Sequence, residues 1–275
     1  MAIIISEEAS VARSRSPLRL LASISPALWT LIILLAIWEI AVRVMDTPVY
    51  ILPAPSRIAE EFVEYWPRLL VNAGITLSEV LIGFVCAVGV GVPLAVLVTY
   101  SRMAERAIYP LIVATQSIPK VAIAPLLLAW VGYGMAPKIV IVVLLSFFPI
   151  VINSVVGLKA ASSEMIYLAQ SMGASPWQAF WKFRMPQALP NIFAGLKLGA
   201  VLSVIGAIVG EFIGADKGLG YVILVAGSSF DIARQFAAII VISAIGMLFF
   251  AVIGWIERVA VPWRDTSALT AGGDA

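Results

Sequence analysis

Apolar residues in this chain gather into long runs, with polar residues confined to the short stretches between them. Six runs, about 27–45, 73–99, 107–131, 138–158, 191–213 and 236–256, reach the roughly 20 residues that a helix needs to cross a bilayer. None alternates apolar with polar at every second position, as a membrane barrel strand would. Backbone groups in lipid must find partners within the chain, so the pattern predicts an all-α, polytopic fold of six transmembrane helices. The chain then divides into an N-terminal tail over 1–26, a membrane domain over 27–258 and a C-terminal tail over 259–275. An even number of spans places both tails on one side.

Lys and Arg in the short connections set the direction. With the N-terminus in the cytoplasm, the inner segments hold Arg13, Arg15, Arg19, Arg102, Arg106, Lys159, Lys182, Arg184, Arg258 and Arg264. The outer ends and loops hold fewer: Arg43, Arg57, Arg68, Lys138, Lys217 and Arg234. The bias predicts two cytoplasmic termini and a cytoplasmic connection over about 159–190. In the first outer loop Ile58, Phe62, Val63 and Trp66 recur at near-helical spacing, which predicts an amphipathic stretch along the outer interface.

The connection over 159–190 is written as two short helices. Ser162 and Glu164 mark a first start, and Gly173 is suited to a left-handed stop, with Ala174 completing the elbow. Ser175 as cap, Pro176 at the first helical position and Gln178 as the return partner predict a second start. Pro186 predicts its stop. Trp177, Phe180 and Trp181 cluster on this second helix with Lys182 and Arg184 at the edge. From the residues alone two readings stay open: a surface that fills a groove on a soluble partner, or an aromatic belt at the lipid headgroups.

Composition removes several classes. At 61% hydrophobic and 12% charged, the chain is not a soluble globular domain, and a net charge of +2 gives nucleic-acid binding no electrostatic basis. Cys86 is the sole cysteine and there is no His, which excludes an internal disulfide, a thiolate metal cluster and imidazole chemistry. No Gly-x-x-x-x-Gly-Lys-Ser/Thr sequence occurs, so energy for any ATP-driven process comes from another polypeptide. Arg13, Arg15 and Arg19 precede the first apolar run as in a signal peptide, but the run is too long and lacks a small-residue cleavage site. It reads as a retained span.

Inside the spans a few residues break the apolar pattern. Lys120 lies near the middle of the third run between Pro119 and Pro125, with Glu79 and Glu211 as acidic partners to consider. A charge at that depth faces protein or a water-filled cavity. A pathway or gating group at a broken helix fits it as well as a buried structural ion pair or a backbone-capping Lys does. Gln116, Ser117, Asn153 and Ser154 supply neutral polarity, either lining a passage or bridging helices. Gly195, Gly199 and Ser203, then Gly206, Gly210 and Gly214, form ladders of small residues in the fifth run. Such ladders let another helix approach closely, within the chain or across a subunit interface.

These motifs carry a resemblance. The EAA loop of binding-protein-dependent ABC importer permeases reads roughly Glu-Ala-Ala, three residues, Gly, nine residues, Ile, one residue, Leu-Pro. This chain is similar, with Ala169, Gly173, Phe183, Met185 and Pro186 in register, although Tyr167 stands in place of the Glu and Leu168 in place of the first Ala. Leu52-Pro53-Ala54-Pro55-Ser56, Ile118-Pro119-Lys120 through Leu126, and Glu211 followed by Gly218-Leu219-Gly220 extend the likeness. Together they resemble the nitrate, sulfonate, taurine and bicarbonate group, which also includes permeases for thiamine-precursor pyrimidines and riboflavin.

The resemblance implies a type I ABC importer permease fold in the bacterial cytoplasmic (inner) membrane, with no enzyme activity on this chain and a translocation pathway for a small polar or anionic nutrient of the sulfonate, taurine, nitrate or bicarbonate type, a vitamin or its precursor being the alternative. It implies a homodimer, a cytoplasmic ATPase dimer that carries the ATP and Mg, and an extracytoplasmic solute-binding protein. Coupling would fall to Ala169, Gly173, Ala174, Ser175, Trp177, Phe180, Trp181 and Pro186. The pathway or gate would draw on Gln116, Lys120, Asn153, Gly206, Gly210 and Glu211, and the fifth run would lie at the interface and pathway. Family members with chemically different substrates share the Pro-Lys pair, so Lys120 is no substrate code. A secondary transporter would need midplane acids and commonly inverted repeats, and none is visible. A membrane scaffold would explain the aromatics but not Lys120.

Overall fold

The structure is a computed structural model that describes residues 26–161 and 163–263. The tail arginines at 13, 15, 19 and 264, and the helix start assigned to Ser162, lie outside the described residues. The chain separates into two compact units, residues 1–57 and 58–275. In the first, helix α1 (Pro26–Val44) is apolar on nearly every face and fit to meet lipid. Its Glu39 accepts from Ser56 N at 3.0 Å and from Ser56 Oγ at 2.8 Å, which fixes the start of α2 (Pro55–Glu64).

The second unit is a helical bundle. Its long members are α3 (Trp66–Tyr100), α6 (Met135–Lys159), α9 (Met185–Gly214) and α11 (Ile232–Ala260). Shorter pieces complete it: α4 (Arg102–Ala114), α5 (Lys120–Val131), α7 (Ser163–Ser171), α8 (Pro176–Ala179) and α10 (Leu219–Ser228). Five helices among the described residues are long and apolar enough to cross a membrane, or six if the bent pair formed by α4 and α5 is one span. The fold is all-α and polytopic, as the hydropathy pattern predicts.

The core lies where α3, α6 and α9 meet. Val80, Phe84 and Ala87 from α3, Val142 and Ile150 from α6, and Ala200, Val204 and Ala207 from α9 are buried together. Glycines make this contact possible. A Cβ on Gly206 would come 2.8 Å from Val142 Cα, and one on Gly195 would come 2.9 Å from Pro149 O. Gly195, Gly199, Gly206 and Gly210 therefore pack against α6 of the same chain, and Gly214 against Leu128 of α5. For Gly206 and Gly210 this corrects the subunit-interface expectation, because their free face is filled by an intrachain backbone.

Four further expectations are revised. The third run is not one straight span: α4 ends in a 3-10 turn (Thr115–Ser117), and α5 leaves at 98° to it. Pro119 is the cause, since it lacks an N–H and pushes Ile118 into extended backbone at ψ 126°. The second helix of the 159–190 connection does not stop before Pro186. A π-helical turn over Phe180–Arg184 joins α8 to α9 in one helix. Its wider turn makes room for a proline ring that would clash in a regular helix.

Trp66 begins α3 rather than completing the amphipathic stretch, in which Ile58 turns inward and Val63 outward. A short helix, α10, also separates the last two spans, where the sequence reading has only a loop.

Candidate functional site

Two regions collect many of the residues singled out from the sequence, and a third joins Glu79, Gly210 and Glu211 to residues that the sequence reading leaves aside. The first is the turn from α7 to α8. Gly173 takes φ +86°, the left-handed conformation that ends α7. Gln178 N donates to Ser175 Oγ at 3.2 Å while Ser175 N donates to Gln178 Oε1 at 2.9 Å, a complete capping box with Pro176 at its start. This local chemistry fixes the direction in which the aromatic cluster points.

The three aromatics then part company. Phe180 is 7% exposed and meets Tyr100 edge-on at 5.4 Å, joining the buried cluster that includes Ala95, Val155 and Ala188. Trp177 and Trp181 remain 69% and 49% exposed and meet edge-on at 5.5 Å. Tyr167 and Met172 are exposed on the neighbouring α7 and the turn that follows it. An apolar cleft of about 370 Å³ opens beside Trp177, lined by Val96, Tyr100, Pro176 and Phe180. Arg184 lies over the Tyr100 ring at 5.3 Å, and Ala169 is buried beneath the elbow with Pro186 half-buried. The outcome is a rigid backbone hook that presents two tryptophans outward.

The second region is the break at Ile118-Pro119. Lys120 opens α5 and sits half-buried, with Nζ 4.5 Å above the Phe148 ring. A cation over an aromatic face is stabilised without an acidic partner. Neither Glu79 nor Glu211 is paired with it, which corrects the partners considered from the sequence. Gln116 is exposed in the 3-10 turn. Asn153 Nδ2 donates to Pro149 O at 2.8 Å, a carbonyl whose helical donor is Asn153's own backbone, so this side chain bridges within its helix.

The third region is a buried polar network between α3, α6 and α9. Lys138, assigned to the outer end from the sequence, is buried and donates to Glu79 Oε1 at 2.7 Å. Gly210 lets α9 close on this part of α6, because a Cβ there would sit 3.1 Å from Lys138 Cα. Glu211 is fully buried and accepts from Thr76 Oγ1 at 2.6 Å and from Gly220 N at 2.5 Å. Lys197 on α9 forms a further ion pair with Glu257 on α11. Lys197, Glu257, Thr76 and Asn72 were not singled out. The available signal was charge balance: an acid or base inside an apolar run needs a partner in another run. Among the described residues no group of three or more His, Cys, Asp or Glu could hold a metal ion.

An all-α bundle of apolar spans, with a capped aromatic hook at one turn and ion pairs buried between helices, defines a polytopic membrane protein. The family model described as binding-protein-dependent transport system inner membrane component matches residues 87–262, and the chain belongs to that family. It is the membrane permease subunit of an ABC importer and has no ATPase activity of its own.

The formylaminopyrimidine transport permease protein ThiX of Halalkalibacterium halodurans is 38% identical over 243 residues, covering 88% of this chain and 96% of that one. The riboflavin transport system permease protein RibX of Chloroflexus aurantiacus is 35% identical, covering 86% and 88%. A putative aliphatic sulfonates transport permease protein, SsuC of Bacillus subtilis, is 27% identical, covering 85% and 86%. The fold is that of the inward-facing MetNI methionine ABC transporter, with a TM-score of 0.62 at 20% identity over 71% of this chain and 97% of that one.

Proposed function

We propose that two copies of this chain form the translocation pathway of a bacterial inner-membrane importer for a vitamin or vitamin precursor built on a nitrogen heterocycle. Both termini are cytoplasmic. A cytoplasmic ATPase dimer docks on the 159–190 connection, and an extracytoplasmic binding protein delivers the solute. The observation that carries the coupling role is the pair Trp177 and Trp181, exposed on a hook whose backbone is fixed by the Ser175–Gln178 capping box. Large exposed aromatics on a pre-organised element suit a partner's pocket, since little ordering entropy is lost on docking.

The continuous helix from Pro176 to Gly214 supports a mechanical route. Motion of the ATPases at Trp177 and Trp181 is passed along one rigid element into the middle of the bundle, and the spans rock between inward- and outward-facing states. Lys120, above Phe148 at the 98° break, and Gln116 in the turn before it stand as pathway groups. The substrate class is supported by identity: the relatives named for formylaminopyrimidine and riboflavin stand at 38% and 35%, and the relative named for aliphatic sulfonates at 27%.

The test is uptake into proteoliposomes carrying the permease, its ATPase and its binding protein. ATP-dependent accumulation of a labelled pyrimidine or flavin, unaffected by excess taurine or alkanesulfonate, is the expected result. Accumulation of the sulfonate alone would overturn the substrate assignment, and dependence on a proton or sodium gradient in place of ATP would overturn the machinery.

A further inference from the structure

Helix α10 is too short to cross the membrane. Its 10 residues span about 15 Å, roughly half a hydrocarbon core. Leu219, Gly220, Val222 and Ile223 are buried, so its first turn is set inside the bundle and not in an aqueous loop. A helix start in that setting leaves N–H groups with no intrahelical acceptor and no water.

Side chains from two other helices supply the acceptors in series. Gly218 N donates to Asn72 Oδ1 at 2.8 Å, Leu219 N to Thr76 Oγ1 at 2.9 Å, and Gly220 N to Glu211 Oε2 at 2.5 Å. The Thr76 hydroxyl donates in turn to Glu211 Oε1 at 2.6 Å and closes the network. Asn72 and Thr76 stand one turn apart on α3, so both reach the same strip of backbone. The glycines are needed for the approach: Gly218 takes φ +111°, and a Cβ on Gly220 would lie 2.7 Å from Glu211 Oε2.

Apolar contact alone holds a helix without direction, whereas hydrogen bonds in a low-dielectric interior fix position and are lost together. We propose that Asn72, Thr76 and Glu211 are positioning residues for transport. They latch the N-terminus of α10 to α3 and α9, and the connection between the last two spans opens for solute only when these bonds are released as a unit. This rests on the proposed topology, in which that connection faces the binding protein.

The experiment uses the complete complex of permease, ATPase and binding protein in proteoliposomes, with Thr76→Val, Thr76→Ser and Asn72→Ala. Thr76→Val removes two bonds, the one accepted from Leu219 N and the one donated to Glu211, so ATP hydrolysis without binding protein is expected to rise by at least roughly fivefold and solute moved per ATP to fall by the same factor. Thr76→Ser keeps the hydroxyl and is expected to restore both values. A Thr76→Val complex with wild-type coupling, or a Thr76→Ser complex that stays uncoupled, would overturn the latch. If Thr76→Val does not assemble, Asn72→Ala decides: a raised hydrolysis rate supports the latch and a wild-type ratio overturns it.

Lys217→Cys in a Cys86→Ser background tests the topology separately. Labelling by an impermeant maleimide from outside is expected. Labelling from the cytoplasmic face alone would overturn the topology, and with it the outer location of the latch.

Discussion

Lys138 Nζ lies 2.7 Å from Glu79 Oε1 and ties α6 to α3 through a pair whose side chains are both more than nine-tenths buried. Each charge is tolerated because the other is present. Lys138→Met is therefore expected to strand Glu79 and destabilise the permease by about 3–5 kcal/mol, read as loss of folded protein in detergent. The double substitution Glu79→Leu with Lys138→Met is expected to recover much of that loss. A stable Lys138→Met protein would contradict the pairing.

The hook aromatics divide by burial into two classes with different outcomes. Trp181→Ala is expected to weaken ATPase association by at least ~2 kcal/mol while insertion and thermal stability stay unchanged. Phe180→Ala removes a buried ring and is expected to lower the stability of the permease itself by about 3–5 kcal/mol. Pull-down of the ATPase together with thermal unfolding separates them. Equal ATPase binding by wild type and Trp181→Ala would remove the docking role.

Lys120 has an aromatic face for a partner, so its loss strands no carboxylate. Lys120→Met is expected to yield a complex of normal size and stability whose uptake is severely reduced. Measured uptake equal to wild type would take Lys120 out of the pathway.

Gly206 and Gly246 make a matched contrast. A Cβ at Gly206 collides with Val142 backbone at 2.8 Å, whereas one at Gly246 meets nothing within 4 Å. Gly206→Ala is expected to cost about 1–3 kcal/mol, and the larger Gly206→Leu to prevent the α9–α6 contact from forming. Gly246→Leu is expected to be tolerated. Comparable expression and melting of the two Leu variants would show that α9 does not pack as described.

Local and one-dimensional features of this protein were legible in its sequence. Each apolar run had to be a helix because lipid offers the backbone no partner, and the Ser175–Gln178 box and Gly173 stop depend only on neighbours a few residues away. The family resemblance followed from the same short-range motifs.

Pairing across the chain was not legible. Lys138 read as a charge at an outer end because Glu79 is 59 residues away, and the two meet only through the close packing of α3 on α6, where a Cβ on Gly83 would collide with Val142. Glu211 read as a partner to consider for Lys120 and as a gate residue, and the structure makes it an acceptor for Thr76 and for the start of α10. Pro119 bent the third span by 98°, whereas Pro186 stopped nothing, because a π-turn before it absorbed the ring. The sequence determined which segments are helical and where the hook is capped, since those depend on solvent and near neighbours. Tertiary structure alone decided which buried charges meet, because a partner's position depends on how closely distant helices can pack.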